Sequence, residues 1–164
     1  MTYQIGERVI HSLFGFAEIT GIENKDIRGV SKQYYVVKTK DMQIWVPTDS
    51  PAASTLRSPS TRKDFSGCFE ILKAKYSPFS TDRHERKTNI QTRLTAGSLN
   101  SKCELIRDLS FYRSQNKIND TEKNILEKNI LNLLDEWGFT FGIPNAQART
   151  ELNKLLSESY ASSV

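Results

Sequence analysis

The chain has 164 residues, with 23 Lys and Arg against 19 Asp and Glu, and 37% of it is hydrophobic. That is enough apolar material for one domain or two small ones, and too much for a disordered chain of such modest charge. The two cysteines, Cys68 and Cys103, lie in no CxxC, so a cysteine–zinc site and a disulfide framework are read as excluded, and reduced thiols in a cytosolic compartment are expected. No apolar run nears the roughly 20 residues that span a bilayer. The charged start, Met1–Arg8, lacks the apolar stretch of a signal peptide.

Charge is unevenly placed. Residues 1–55 carry six basic and six acidic side chains, residues 56–118 thirteen against six, and residues 119–164 four against seven. A basic middle between a neutral head and an acidic tail is the footprint of a polyanion-binding surface, or else of a solvated helix face.

The head reads as strands and turns. Glu7–His11 leads into a turn at Leu13-Phe14-Gly15, then Phe16–Glu23 alternates. Asn24–Gly29 has turn residues at both ends, Lys32–Lys40 is rich in Tyr and Val, and Met42–Val46 alternates before Pro47. Four short strands with tight links predict a small Tudor- or SH3-like antiparallel β-barrel over residues 1–50, with open edges and one exposed face suited to docking. Period two sets Trp45 opposite Met42, Ile44 and Val46, either as an anchor for a protein partner or packed against the helical half.

Residues 51–61, with Pro51, Pro59 and several Ser and Thr, read as a linker. Residues 62–164 then read as a compact all-α bundle of about five helices, making the fold class α+β. Arg62–Ala74 has Phe65, Cys68 or Phe69, and Leu72 at helical spacing, Pro78 interrupts, and Thr81–Ala96 is polar and basic with Gly97 as a C-terminal stop. Ser101 with Glu104 suggests a capping box, and Asn119 with Glu122 repeats the spacing before a helix carrying Ile125 to Trp137. Gly138 and Gly142 break that pattern, and Pro144 opens a last helix.

Catalysis finds little support. There are two histidines, His11 and His84, one in each half, and no HExxH, GxSxG, GxGxxG or P-loop pattern. No enzyme activity, metal or cofactor is expected, and both cysteines sit on predicted apolar faces as structural thiols. The binding signals are stronger. Lys73, Lys75, Arg83, Arg86, Lys87 and Arg93 crowd one stretch. On a helix the last four fall within a sector of about 120°, together with Ile90 and Leu94. The strip either meets DNA phosphates or packs inward with its long side chains snorkelling to solvent.

The order and spacing of several short motifs resemble the CarD/CdnL family of bacterial transcription regulators. Their first module is shared with the polymerase-interacting domain of the transcription-repair coupling factor. In the head these are Ile5-Gly6-Glu7-Arg8-Val9-Ile10, Phe14-Gly15, Ile22-Glu23, Ile27-Arg28-Gly29, Lys32–Lys38 and Val46-Pro47-Thr48-Asp49. In the second half they are Thr95-Ala96-Gly97-Ser98, Ile106-Arg107-Asp108-Leu109 and Glu122-Lys123 with the stripe that follows. The resemblance covers nearly the whole chain and implies a Tudor-like barrel before a helical domain. It implies docking of the barrel on the RNA polymerase β subunit and contact of the helical domain with promoter DNA, with a stabilised open complex as the outcome. Polymerase-binding positions carry over to Lys25 and Trp45. Trp45 stands where some members have Arg, which favours an aromatic contact over an ion pair. Arg83 stands where well-studied members place a Trp wedge, and Thr81–Ala96 holds no aromatic residue. An Arg enters a narrow minor groove by charge but does not unstack bases.

The expected function is therefore a non-enzymatic, monomeric regulator in the cytoplasm, nucleoid-associated through RNA polymerase and without membrane contact. Lys25, Arg28 and Trp45 bind polymerase, and Arg83, Arg86, Lys87, Arg93, Lys73 and Lys75 meet the DNA backbone, with the minor groove as a further contact. The alternatives are a polymerase-binding protein with no productive DNA contact, and a Tudor-like scaffold for an unrelated protein or RNA. Lys25 and Trp45 are expected close together on one exposed surface.

Overall fold

A computed structural model describes residues 2–49 and 55–162. The chain divides at Pro59/Ser60 into two compact units. The first is a five-stranded antiparallel sheet, β1 (Arg8–His11), β2 (Gly15–Ile27), β3 (Val30–Lys38), β4 (Gln43–Pro47) and β5 (Leu56–Arg57), in the order β4-β3-β2-β1-β5. The expected barrel does not close: β4 and β5 are the two edges of an open sheet. The fifth strand lies within the stretch read as a linker, where Ile10 pairs with Arg57 and His11 with Leu56. Pro51 and its neighbours at 50–54 fall outside the described residues.

The β2–β3 hairpin is longer than its turn residues suggested. Asn24–Ile27 is strand, Ile27 pairs with Val30, and only Arg28 and Gly29 turn the chain, at φ 53° and 78°. Two successive positive φ values match the right-handed twist of a hairpin, and glycine takes the second at no steric cost. The core beneath the sheet holds Val9, Ala17, Ile19, Tyr35, Val37 and Val46, with Tyr3 and Leu56 at one side. Tyr3 ties that side together, donating its hydroxyl to the Leu56 carbonyl at 3.1 Å and its backbone N–H to the Tyr35 hydroxyl at 3.1 Å.

The second unit has five helices, α1 (Arg62–Lys73), α2 (Arg83–Ala96), α3 (Leu99–Gln115), α4 (Asp120–Phe141) and α5 (Asn145–Ala161). Four of the five starts are capped by side chains, and α5 begins after Pro144 without one. Thr61 and Asp64 form a reciprocal capping box, Asp82 accepts from the His84 and Glu85 amides, and Asn119 accepts from the Glu122 amide at 2.8 Å. The start of α3 differs from expectation: Ser98 is the cap, accepting from the Ser101 amide at 3.0 Å, because the helix begins two residues before Ser101. Gly97 and Gly142 end α2 and α4 in left-handed conformation. Gly138 breaks nothing. It is buried within α4, and a Cβ there would stand 2.9 Å from the Ile143 carbonyl oxygen and from Asn145 Oδ1. Glycine lets the chain fold back closely enough to start α5.

Apolar side chains of all five helices share one core, including Phe65, Leu72, Ile106, Leu109, Leu126, Leu133 and Trp137. Each such side chain contributes about 1.5–3 kcal/mol by leaving water. Trp137 is a core residue as expected, 1% exposed and packed with Phe65 and Phe69. The free-thiol expectation is overturned. Cys68 and Cys103 are joined in a disulfide linking α1 to α3 across 35 residues, because helix packing brings their Cα atoms to 6.2 Å. No helix is long and apolar enough, among the described residues, to cross a membrane.

Candidate interaction surfaces

On the sheet, Trp45 sits opposite Val36, which in turn sits opposite Gly21. Strand alternation turns the indole away from the core that Ile44 and Val46 join, and it remains 40% exposed. Two side chains of β2 hold it. The indole N–H donates to Glu23 Oε2 at 2.9 Å, and the Lys25 ammonium lies 3.5 Å from the ring centroid. A cation over an exposed indole adds about 0.5–1 kcal/mol, and the Glu23 bond fixes the ring's direction. Lys25 and Trp45 are thus close on one exposed surface, although β3 runs between their strands. Arg28 occupies the exposed hairpin turn, flanked by exposed Ile27 and Val30. Glu23 was missed in the sequence, although it stands two residues from Lys25 and so on the same face of one strand.

The basic stretch separates into inward and outward cations. Arg86 is 7% exposed and grips Glu122 through two hydrogen bonds, while its remaining nitrogen donates to the Ser80 and Thr81 carbonyls and the Tyr112 hydroxyl. The hydrogen bond to Glu122 is the main reason the Arg86 pKa is raised. Arg93 donates to Asp108 at 2.6 Å and lies over the Phe79 ring. Asp108, 1% exposed, also receives Arg107 and the Ser77 amide. Arg86 is therefore buried away from any DNA surface, whereas Arg93 keeps 18% of its side chain exposed beside its Asp108 partner. Both arginines face inward with Ile90 and Leu94, and each is held by a carboxylate distant in sequence. Lys73 pairs with Glu70 one turn back, which raises its pKa, and Lys75 is exposed.

Arg83 and Lys87 remain exposed, with His84 beside them. They rim a cleft of about 370 Å³ between α2 and the start of α4, with Ile90 and Ile125 in its lining. A second, shallower groove runs along the outward face of α2 past Lys87, Thr88, Gln91 and Thr95. Gln91 and Thr121 were not singled out in the sequence, and His84 was weighed there only for catalysis, because only the packing of α2 on α4 gathers them. No group of three or more His, Cys, Asp and Glu side chains is placed to hold a metal ion among the described residues.

Comparison with known proteins follows the same two units. Residues 3–58 match the CarD-like/TRCF RID domain, and residues 67–153 match the CarD C-terminal domain. The chain belongs to the CarD family. It is 23% identical over 150 residues to the Bacillus subtilis (strain 168) protein named "Putative transcription factor YdeB", covering 90% of this chain and 98% of that protein. Within the family frame, the motif Ile106-Arg107-Asp108-Leu109 has an internal role here. Its apolar residues enter the helical core, and its charged pair anchors Arg93 and the segment before α2.

Proposed function

We propose that this CarD-family chain is a non-enzymatic transcription regulator that acts in the cytoplasm as a monomer. It docks on the RNA polymerase β subunit through the sheet face bearing Lys25, Arg28 and Trp45. It contacts promoter DNA through its helical unit without reading sequence, and so prolongs the open complex. Family membership supports the partner, and one geometric observation carries the docking site: the exposed Trp45 indole held between Lys25 and Glu23. An aromatic side chain already fixed in place loses little freedom on binding, which is the habit of an interface anchor. The β4 edge beside it offers unpaired backbone groups to a partner strand.

The DNA contact rests on fewer cations than the sequence count suggested. Arg83, Lys87 and Lys75 are exposed, and Lys73 reaches solvent from its pair with Glu70. The burial of Arg86 and the engagement of Arg93 by Asp108 favour a second reading, in which the protein acts through polymerase with no productive DNA contact. Capture of isolated β-subunit fragments by the full chain tests the docking. Retention by wild type and loss with Trp45→Ala are expected, and equal retention by both rules out this face.

A further inference from the structure

We propose that the cleft between α2 and the start of α4 is a receiving site for one unpaired nucleotide of a DNA strand. The base would enter between the helices, and its phosphate would rest on Arg83 and Lys87. This assignment rests on the DNA-contact reading and specifies how the contact is made.

Three features of the cleft carry it. Its size, about 370 Å³, falls at the lower end of the range of small-ligand pockets, roughly 300–1,000 Å³. Its lining is mixed: half-buried Ile125, set against the core residue Ile90, supplies aliphatic surface for a flat ring, and Gln91 and Thr121 supply amide and hydroxyl groups for the polar edge of a base. Its charge is positive in effect. Glu122 also lines the cleft, but its carboxylate is neutralised by Arg86 and further bonded by the Asn119 amide. Arg83 and Lys87 therefore dominate the rim, and they favour a phosphate over a neutral ring.

The occupant follows from shape. The apolar part is the floor of the cleft, where half-buried Ile125 adjoins the core residue Ile90. A base within a duplex is stacked and paired and cannot enter a recess between two helices, so only an unpaired base reaches it. Apolar walls with a few polar groups suit such a base whatever its identity, so the site reads strand state and not sequence. The helix thus receives a base instead of pushing a side chain between bases, consistent with the lack of any aromatic residue from Thr81 to Ala96.

The test is fluorescence anisotropy of the full chain with two labelled DNAs of equal length and charge, one fully paired and one forked with unpaired ends. The forked DNA should bind about tenfold tighter, the scale expected when part of one base's apolar surface leaves water. Gln91→Leu/Thr121→Leu places branched aliphatic carbon at the mouth without changing charge. It should reduce the preference for forked DNA severalfold by removing the partners of the base's polar edge, with the thermal midpoint unchanged. Equal binding of the two DNAs by wild type, or an undiminished preference in that variant, overturns the proposal. Arg83→Ala/Lys87→Ala separates it from its foundation. Loss of affinity for both DNAs supports the DNA contact, and no loss for either overturns the contact and the cleft together. Thymidine monophosphate added alone distinguishes a strand from a free nucleotide: displacement of forked DNA only at millimolar concentration supports the strand, and displacement at micromolar concentration overturns it.

Discussion

The Arg86 guanidinium holds the Glu122 carboxylate by two hydrogen bonds, Nε to Oε2 at 2.7 Å and Nη2 to Oε1 at 3.0 Å. Both side chains are 8% exposed, so the pair pins α2 to the first turn of α4 away from water. Removing one partner strands the other charge, and Arg86→Ala is expected to destabilise the helical unit by about 3–5 kcal/mol in urea unfolding. A raised guanidinium pKa contributes stability that is complete at neutral pH and lost only in strong alkali as pH climbs through the folded value. The Arg86→Ala deficit should therefore be constant across ordinary neutral buffers.

Acid acts at the cap of the same helix. The amide of Glu85, and with it that of His84, bonds Asp82 and holds its carboxyl below the usual range. A depressed folded pKa gives stability present above the unfolded value and lost as pH falls through the folded one. Below about pH 4, hydrogen exchange at the His84 and Glu85 amides should accelerate before that of the helix centre. Asp82→Asn should keep the cap and remove the pH dependence.

At the sheet face, Trp45→Ala should weaken polymerase binding by about 2 kcal/mol or more. The thermal midpoint should change little, because Trp45 lies outside the sheet core. Glu23→Gln and Lys25→Met should each cause a smaller loss by releasing one side of the ring. A Trp45→Ala variant that unfolds while retaining affinity would make the indole structural.

The first unit should fold and bind polymerase as residues 1–59 but fail as residues 1–50. The shorter fragment lacks β5, and with it Leu56 and the acceptor for the Tyr3 hydroxyl. Circular dichroism of the two fragments, followed by β-subunit capture, checks this.

Closing a loop of 35 residues gives the Cys68–Cys103 bond a stabilising effect of about 3–4 kcal/mol by restriction of the unfolded chain. Reductant should lower the thermal midpoint of the oxidised protein, and Cys68→Ser/Cys103→Ser should be insensitive to it. Thiol titration of protein isolated under rapid acid quench reads how much of the bond exists in the cell.

The local pattern of the sequence determined the two-part order of strands and helices, the face of β4 that carries Trp45, the core stripe of α4, and the stops at Gly97 and Gly142. Each of these depends on periodicity or on a neighbour within four residues. Tertiary structure alone decided which cations are free. Arg83, Arg86, Lys87 and Arg93 share one helical sector, yet Arg86 turns to Glu122 across 36 residues and Arg93 to Asp108 across 15, leaving Arg83 and Lys87 at the surface. The same holds for the disulfide, for Leu56 on β1, and for the sheet that stays open where a barrel was expected. All of them depend on pairs brought together from far along the chain, and a window of ten or fifteen residues contains only one member of such a pair.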